Sequence, residues 1–270
     1  HTGVIVGNTL TGDSTRAACM RLRWPFVSRA LKSTCEAHGI SKDIFDTLEG
    51  SMETLYKSAF SPPTPDTLAG GLANTIAGRV CNYFDLHGGG YIVDGACSSS
   101  LLAVCTAARA LDAGEMNLAL VGGIDISIDP FELVGFSRAG ALSRGEMNVY
   151  DKSAAGFIPG EGCGFVVLKR LDEARRDGDQ VYAVLRGWGI SSDGKGGIMT
   201  PSSTGQAMAI RRAYEGTDYS AADLDFVEGH GTGTRVGDQI ELKGIAQAQT
   251  NGVAAAPRRT GMTSLKSIIG

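Results

Sequence analysis

The sequence predicts an α/β fold, and three observations carry that prediction. Short apolar runs of strand length alternate along the chain with longer segments that have helical apolar spacing. Glycine is abundant, with 38 residues among 270, and falls mainly at the boundaries between these segments. The hydrophobic content of 43% is enough for one large domain or two closely packed halves.

The individual elements follow from spacing and turn chemistry. Predicted helices carry apolar residues along one face and cover 14–23, 25–38, 41–56, 67–84, 98–113, 204–215 and 238–249. Predicted strands are short and apolar and cover 4–6, 118–123, 164–168, 181–187, 225–228 and 260–264. Ser41 has the side chain of an N-cap for its helix. The proline-rich segment 61–65 is interpreted as a stiff loop, because the apolar pattern resumes directly after it.

Charge and hydropathy exclude several classes of partner. The net charge is −4 and no basic run exceeds two residues, which argues against nucleic acid and acidic membrane surfaces. No apolar run approaches the length of a membrane span, and no signal peptide opens the chain. The first residue is His1 rather than Met, so we expect a fragment of a longer protein. The cysteine usage is typical of free thiols in a reducing cytoplasm.

Cysteine and histidine spacing argues against a metal site. The six cysteines form no C-x-x-C pair and the four histidines are scattered, so neither a zinc site nor a disulfide framework is predicted. Cys97 differs from the other cysteines through its surroundings. A strand-like run, 91–93, ends in Gly-Ala before Cys97, and a helix-forming run follows. Unpaired N–H groups at a helix N-terminus favour a thiolate, so Cys97 is a candidate nucleophile.

A second dense feature surrounds His230. The segment 226–238 is interpreted as a strand, a glycine-rich loop and a helix, and its G-x-G-x-x-x-G spacing is a weak match to a dinucleotide motif. The glycines at 229, 231 and 233 remove side chains from around His230, so its imidazole can reach a ligand. Lys266 has the local features of a surface lysine and gains interest only beside the other two residues.

Together, Cys97 and His230 supply the parts of a thiol nucleophile with an acid/base partner. A papain-like protease also has its cysteine before its histidine, but the local signature of that family is absent around Cys97. The segments 94–100, 228–234 and 263–270 resemble the nucleophile, first-histidine and lysine motifs of the ketosynthase domain of β-ketoacyl synthases. Segments 136–143 and 156–164 resemble intervening patterns of that family, in the same order.

The resemblance implies a thiolase-like fold with five-layered α-β-α-β-α packing, incomplete at both ends. Residues 1–179 would form most of the N-terminal half, and residues 180–270 would begin the C-terminal half. The resemblance also implies decarboxylative condensation of an acyl thioester with a malonyl thioester carried by an acyl carrier protein. It implies no directly bound cofactor, since substrates arrive on the phosphopantetheine arm, and a homodimer in the intact parent.

Site roles follow from the same resemblance. Cys97 would carry the acyl chain, and His230 would position and polarise the malonyl thioester. Lys266 would organise the histidine network. The phosphopantetheine arm and the pocket would be contacted by Thr232, Thr234 and Phe157. The family also has a second histidine and a glycine-rich oxyanion segment beyond these motifs, and Ile268 stands where the family has Asn, so we expect this fragment to be inactive alone.

Finer features point to a subgroup. Segments 7–12, 22–25, 68–79 and 88–91 resemble iterative type I synthases, favouring an enediyne polyketide synthase, with a polyunsaturated fatty acid synthase as the alternative. A thiolase or a chalcone-synthase-like enzyme would use coenzyme A thioesters, and segment 229–234 argues against both. A non-catalytic protein similar to a chain-length factor would lack the cysteine, so Cys97 argues against that alternative.

Overall fold

The computed structural model describes residues 1–10, 12–126, 128–195, 197, 200–250 and 260–270. The strands in the described residues are β1 (Thr2–Gly7), β2 (Gly90–Val93), β3 (Leu118–Asp125), β4 (Gly162–Lys169), β5 (Phe226–Glu228) and β6 (Gly261–Thr263). The helices are α1 (Gly12–Arg21), α2 (Trp24–Ala37), α3 (Lys42–Ser58), α4 (Pro65–Gly71), α5 (Asn74–Phe84), α6 (Ser99–Asp112), α7 (Pro130–Arg138), α8 (Leu171–Asp177), α9 (Ser203–Tyr214), α10 (Arg235–Thr250) and α11 (Lys266–Ile269). The predicted α/β class is therefore confirmed. None of the helices described is long and apolar enough to cross a membrane.

The larger sheet has four strands in the order β2-β1-β3-β4. Strand β1 runs parallel to both β2 and β3, and β4 is antiparallel to β3. Successive side chains of β1 alternate between the two faces. Val4 and Val6 pack in a cluster with Ala77 of α5, whereas Ile5 packs in a cluster with Ala103 and Ala107 of α6. The sheet thus carries a helix on each face, which explains why β1 is a continuous apolar run.

The smaller sheet consists of β5 and β6, which are parallel and paired from Phe226↔Gly261 to Glu228↔Thr263. Helices α9 and α10 pack on each other beside it, with Ala207 and Ala248 in a buried cluster. Small alanine side chains let the two helix backbones approach closely. Because β5 and β6 are parallel neighbours, the segments that follow them start at the same edge of the sheet.

The helix predicted over 67–84 is wrong as a single element. Helix α4 ends at Gly71, and the next residue, Leu72, has an extended backbone with ψ of 120° before α5 begins. Gly70 and Gly71 are poor helix formers, which explains the break. The carbonyl oxygen of Ala69 accepts from the N–H of Leu72 at 3.4 Å and from the hydroxyl of Thr75 at 2.6 Å, and these bonds close the end of α4.

The strand predicted over 181–187 is also wrong. This segment has no regular secondary structure, and Tyr182 is 88% exposed. A strand requires a neighbouring strand for its N–H and C=O groups, and within the described residues no ladder includes this segment. Its apolar side chains Val181, Val184 and Leu185 are exposed as well, although Gly187 at its end lies against α9, where an added Cβ would be 1.9 Å from the carbonyl oxygen of Ala213.

The other predicted elements are confirmed within a few residues at their ends, and α3 begins at its predicted cap. The Ser41 side chain accepts a hydrogen bond from the N–H of Ile44 at 3.4 Å. Helix α7 was not predicted, although its start follows a known rule. Asp129 accepts a hydrogen bond from the N–H of Glu132 at 3.0 Å, and Pro130 occupies the first helical position.

Candidate active site

Cys97 lies in a short 3-10 turn, Ala96–Ser98, between the end of β2 and the first residue of α6. Its side chain is exposed. The strand–turn–helix context predicted for the thiol is therefore confirmed. A nucleophile in such a turn is held by the sheet on one side and the helix on the other, so it can face a substrate without being mobile.

Side chains next to Cys97 fix the turn from within. Asp94 accepts a hydrogen bond from the N–H of Ala96 at 2.9 Å. The hydroxyl of Ser99, which is buried, accepts from the N–H of Gly95 at 2.9 Å and donates to the carbonyl oxygen of Ala96 at 2.7 Å. Ala96 has a φ of +52°, a left-handed backbone that costs a non-glycine residue free energy. These bonds stabilise the strained conformation directly before the thiol.

His230 and Lys266 reach one region because their strands are neighbours. The N–H of Gly229 donates to the carbonyl oxygen of Thr263 at 2.8 Å, which extends the β5–β6 ladder by one bond. Glu228, at the end of β5, accepts from the N–H of Leu265 at 2.7 Å. His230 therefore follows the end of β5 at the same edge of the sheet where Lys266 begins α11.

Two carboxylates of α10 hold the loop that carries His230. Glu241 accepts hydrogen bonds from the N–H of His230 at 2.6 Å and from the N–H of Gly231 at 2.9 Å. Asp238 accepts from the N–H of Gly233 at 3.0 Å. On the opposite side, the buried Ser264 donates its hydroxyl to the carbonyl oxygen of His230 at 3.2 Å. The main chain of His230 is thus bonded at both its donor and its acceptor.

The electrostatics of this region favour a neutral imidazole. The pKa of His230 is lowered, first because the surrounding protein removes hydration from its charged form and second because the Lys266 ammonium is nearby. The negative charges of Glu241 and Asp238 act in the opposite direction but do not overcome these effects. Burial raises the pKa of Asp238, although the two backbone N–H groups that it accepts from favour its ionised form.

The sequence suggested that the glycines around His230 leave its imidazole uncovered. In the structure they also allow the loop to pack closely against its neighbours. Gly231 has a φ of +47°, and a Cβ added there would lie 2.3 Å from Cβ of Ser264. The glycine therefore permits a left-handed backbone and a close approach to the segment after β6. The loop is consequently packed rather than open, and two of its glycines, Gly231 and Gly233, are buried.

Substituting alanine at Gly231 is expected to destabilise the protein by roughly 2–4 kcal/mol, from left-handed strain of roughly 1–2 kcal/mol and overlap with Ser264 of a similar size. Gly140 is the matched control, because it also has a positive φ, +67°, but has open space around its Cβ position. Gly140→Ala should therefore show the strain alone. Denaturant unfolding of both variants measures the difference, and equal losses would mean that Ser264 moves aside without cost.

The remaining predicted residues occupy the same region. The hydroxyl oxygens of Thr232 and Thr234, both half-buried, lie 2.9 Å apart. Gly156 donates its N–H to the carbonyl oxygen of Gly233 at 2.8 Å, which places Phe157 one residue from the loop. The ring of Phe157 packs edge-to-face on Phe136 with centroids 5.1 Å apart.

A cleft of about 530 Å³ lies beside Lys266. Its walls include Asn148, Ile158, Pro159 and Ile268 as well as Lys266. Phe157 is not among the described residues that line it, but the two residues that follow it, Ile158 and Pro159, form part of the apolar wall. The cleft combines apolar walls with the ammonium group of Lys266 and the carboxylate of Glu146.

The contacts of the described residues divide the site into two parts. One part contains His230, Lys266, Thr232 and Thr234, with Phe157 at its side. The other part is the Cys97 turn, and its hydrogen bonds run within the turn and to Thr9, which follows β1. The candidate nucleophile and the candidate histidine are thus each held rigidly by their own sheet.

Asp238 and Glu241 belong to the site but were not predicted from the sequence. A signal was present, because both lie near the start of a predicted helix, three residues apart, directly after a glycine-rich loop. Residues three apart share a helix face, and a loop with many unpaired N–H groups requires acceptors. No role was predicted for Ser99 either, although its hydroxyl makes two hydrogen bonds to the main chain of the turn.

Comparison with known proteins gives matches along most of the chain. Residues 34–174 match the family model described as "Beta-ketoacyl synthase, N-terminal domain", and residues 182–270 match "Beta-ketoacyl synthase, C-terminal domain". Fumosorinone synthetase of Cordyceps fumosorosea is 42% identical over 216 residues, which are 76% of this chain and 5% of that protein. The highly reducing polyketide synthase ZEA2 of Gibberella zeae is 41% identical over 199 residues, covering 72% of this chain and 8% of that protein.

A solved structure agrees with these sequence matches. The ketosynthase from module 6 of the bacillaene synthase of Bacillus subtilis 168 superposes with a TM-score of 0.73 and 30% identity, over 99% of this chain and 39% of that chain. The predicted thiolase-like fold is therefore confirmed. This chain spans a small part of the curated relatives and about two fifths of the solved ketosynthase. With both domain models matched in order and the fold shared, the chain belongs to the β-ketoacyl synthase family.

Proposed function

We propose that the protein containing this chain is a ketosynthase that extends an acyl chain by decarboxylative condensation in a polyketide synthase. The observation that carries the proposal is the joint placement of His230 and Lys266 at one edge of the β5–β6 sheet, in a chain that also holds an exposed Cys97 in a rigid turn. The relatives named above are polyketide synthases or synthetases, which supports this class of reaction.

The proposed first step is acyl transfer to Cys97. The thiolate attacks the thioester carbonyl of an acyl group on an acyl carrier protein, the C–S bond to the phosphopantetheine arm breaks, and the arm leaves as a thiolate. The acyl group is then a thioester of Cys97. The strained Ala96 and the hydrogen bonds of Asp94 and Ser99 support this step, because they fix the direction of the sulfur.

The proposed second step is loss of carbon dioxide from a malonyl thioester. The C–C bond to the carboxylate breaks and its electrons form an enolate on the thioester. His230, neutral because of its lowered pKa, donates a hydrogen bond to the thioester oxygen as negative charge develops there. The enolate carbon then attacks the acyl carbonyl, Cys97 leaves as the thiolate, and the product is a β-ketoacyl thioester two carbons longer.

The other predicted residues have supporting roles in this proposal. Lys266 contributes a positive charge beside His230, which adds to the larger effect of burial in lowering the pKa of the imidazole. Thr232 and Thr234 present hydroxyl groups on the same loop, where a phosphopantetheine arm can bond to them. Phe157 stands next to the apolar wall formed by Ile158 and Pro159.

The organisation of the parent is also part of the proposal. We assign residues 1–179 to the N-terminal half and 180–270 to the C-terminal half, supported by the gap between the two matched family segments at 174 and 182. The parent is proposed to be a cytoplasmic homodimer that accepts malonyl and acyl groups from a carrier protein. The enediyne subgroup stays a prediction from the four sequence segments, and product analysis of the intact synthase tests it.

The direct test uses the complete ketosynthase with acyl and malonyl carrier proteins. We expect the carrier to gain a β-ketoacyl group as carbon dioxide is released, and mass spectrometry of the intact carrier measures the gain. Product formed from two coenzyme A thioesters without release of carbon dioxide would identify a thiolase instead. Release of carbon dioxide without any acyl-Cys97 would identify a non-condensing protein of the chain-length-factor type.

A further inference from the structure

Tyr150 lies outside the sequence motifs of the site and has an unusual backbone conformation. Its φ is +55°, in the left-handed region that a bulky side chain rarely adopts. Strain of this kind persists only where the surroundings impose it. The surroundings of Tyr150 are the carboxylates that hold the His230 loop.

The main chain of Tyr150 contacts the first of these carboxylates. Its N–H donates to one oxygen of Asp238 at 2.7 Å, while the other oxygen of Asp238 accepts from the N–H of Gly233 at 3.0 Å. Asp238 therefore joins the segment around Tyr150 to the loop. This bond requires the N–H of Tyr150 to point at α10, which fits its strained backbone.

The side chain of Tyr150 contacts the second carboxylate. Its hydroxyl donates to Oε2 of Glu241 at 2.9 Å, and the same oxygen accepts from the N–H of Gly231 at 2.9 Å. The other oxygen, Oε1, accepts from the N–H of His230. Glu241 thus receives three donors, of which only Tyr150 comes from outside the loop.

The loop leaves room for the tyrosine hydroxyl. A Cβ added to Gly229 would lie 1.9 Å from Oη of Tyr150, so any larger residue at 229 would displace the hydroxyl. Burial and the neighbouring charge of Glu241 raise the pKa of Tyr150 far above its ordinary value. The hydroxyl therefore stays protonated and remains a donor to Glu241.

We propose that Tyr150 is a positioning residue for decarboxylation, which fixes the direction of the His230 imidazole by holding Glu241 and Asp238 against the loop. This inference rests on the proposed function, in which His230 acts on the malonyl thioester. Tyr150 does not touch the reacting atoms, and its effect passes through the main-chain bonds of His230 and Gly231. The Cys97 turn is bonded separately, so acyl loading does not depend on Tyr150.

The test is Tyr150→Phe in the complete ketosynthase, which removes only the hydroxyl. We expect the kcat of malonyl decarboxylation to fall between about tenfold and a hundredfold, because a small displacement of an oriented group has effects of that size. The KM for the malonyl carrier protein and the rate of Cys97 acylation should stay within about twofold of the original values. Tyr182→Phe is the matched control, since Tyr182 is 88% exposed.

A second readout is independent of activity. Amide hydrogen exchange of the 228–234 segment should become faster in Tyr150→Phe and in Glu241→Gln, but not in Tyr182→Phe. The double variant should lose no more decarboxylation than Glu241→Gln alone, because both changes act on one unit. Unchanged exchange in both single variants, or equal losses of acylation and decarboxylation, overturns the proposal. If the original protein neither loads nor decarboxylates, the proposed function fails, and the exchange result still decides whether Tyr150 holds the loop.

Discussion

Replacing Cys97 with alanine is expected to abolish acyl loading of the complete ketosynthase and, with it, chain extension. This is the largest effect expected for any substitution in the protein, because the sulfur of Cys97 forms the thioester. The methyl group of alanine has no nucleophilic atom that could take its place. Cys97 is exposed and lies in a turn that is bonded on both sides. Intact-protein mass spectrometry after incubation with an acyl carrier protein measures the loading.

The control for this variant is Cys19→Ala. Cys19 is also exposed but lies on α1, away from the turn, and its removal should leave loading unchanged. Acylation that persists in Cys97→Ala at the original level would show that another side chain carries the acyl group. Acylation lost in both variants would point to general thiol chemistry rather than to one nucleophile.

Replacing His230 with alanine is expected to slow malonyl decarboxylation by a factor on the order of 10²–10³, the usual effect of removing one hydrogen-bond donor to a developing oxyanion. Acyl loading should continue, because no hydrogen bond of the described Cys97 turn involves the His230 loop. The release of labelled carbon dioxide measures the first effect and mass spectrometry the second. His38→Ala is the control, since His38 is exposed at the end of α2.

His230→Ala should also change how the free energy of unfolding depends on pH. The pKa of His230 is lowered in the folded protein, so the unfolded chain, with a histidine pKa of about 6.5, binds the proton more readily. The free energy of unfolding should therefore fall as the pH is lowered from about 6.5 toward the folded pKa. His230→Ala should lose less stability over that interval, and equal losses would contradict the assigned electrostatics.

Sequence alone was sufficient for the parts of this fold that depend on local pattern. The β-type run before Cys97, the glycine-rich loop around His230 and the cap at Ser41 are all short-range features, and the structure has each of them where the spacing predicted. The order of the motifs was also sufficient to identify the family, because the order can be read directly from the sequence without knowledge of long-range contacts.

The errors and omissions concern long-range partners. Segment 181–187 has the composition of a strand, but a strand depends on a neighbouring strand, and the described residues provide none, so its apolar side chains stay exposed. Tyr150 and Glu241 are 91 positions apart, and nothing in either local sequence indicates their hydrogen bond. Asp238 and Glu241 were hidden for a different reason, because acidic residues near a helix start are common and usually face solvent.

The left-handed alanine before the nucleophile raises the question of why position 96 is not a glycine. Glycine at position 96 would avoid a backbone cost of roughly 1–2 kcal/mol, but would lose roughly 0.5–1 kcal/mol to the greater freedom of the unfolded chain. Selection for thermal resistance alone would therefore discriminate only weakly between the two residues at Ala96, where φ is +52°. Alanine allows fewer backbone conformations than glycine, so it restricts the turn before Cys97 more closely. The benefit of alanine at this position is a more restricted turn rather than greater stability. A screen that measures only the melting temperature would not detect that benefit.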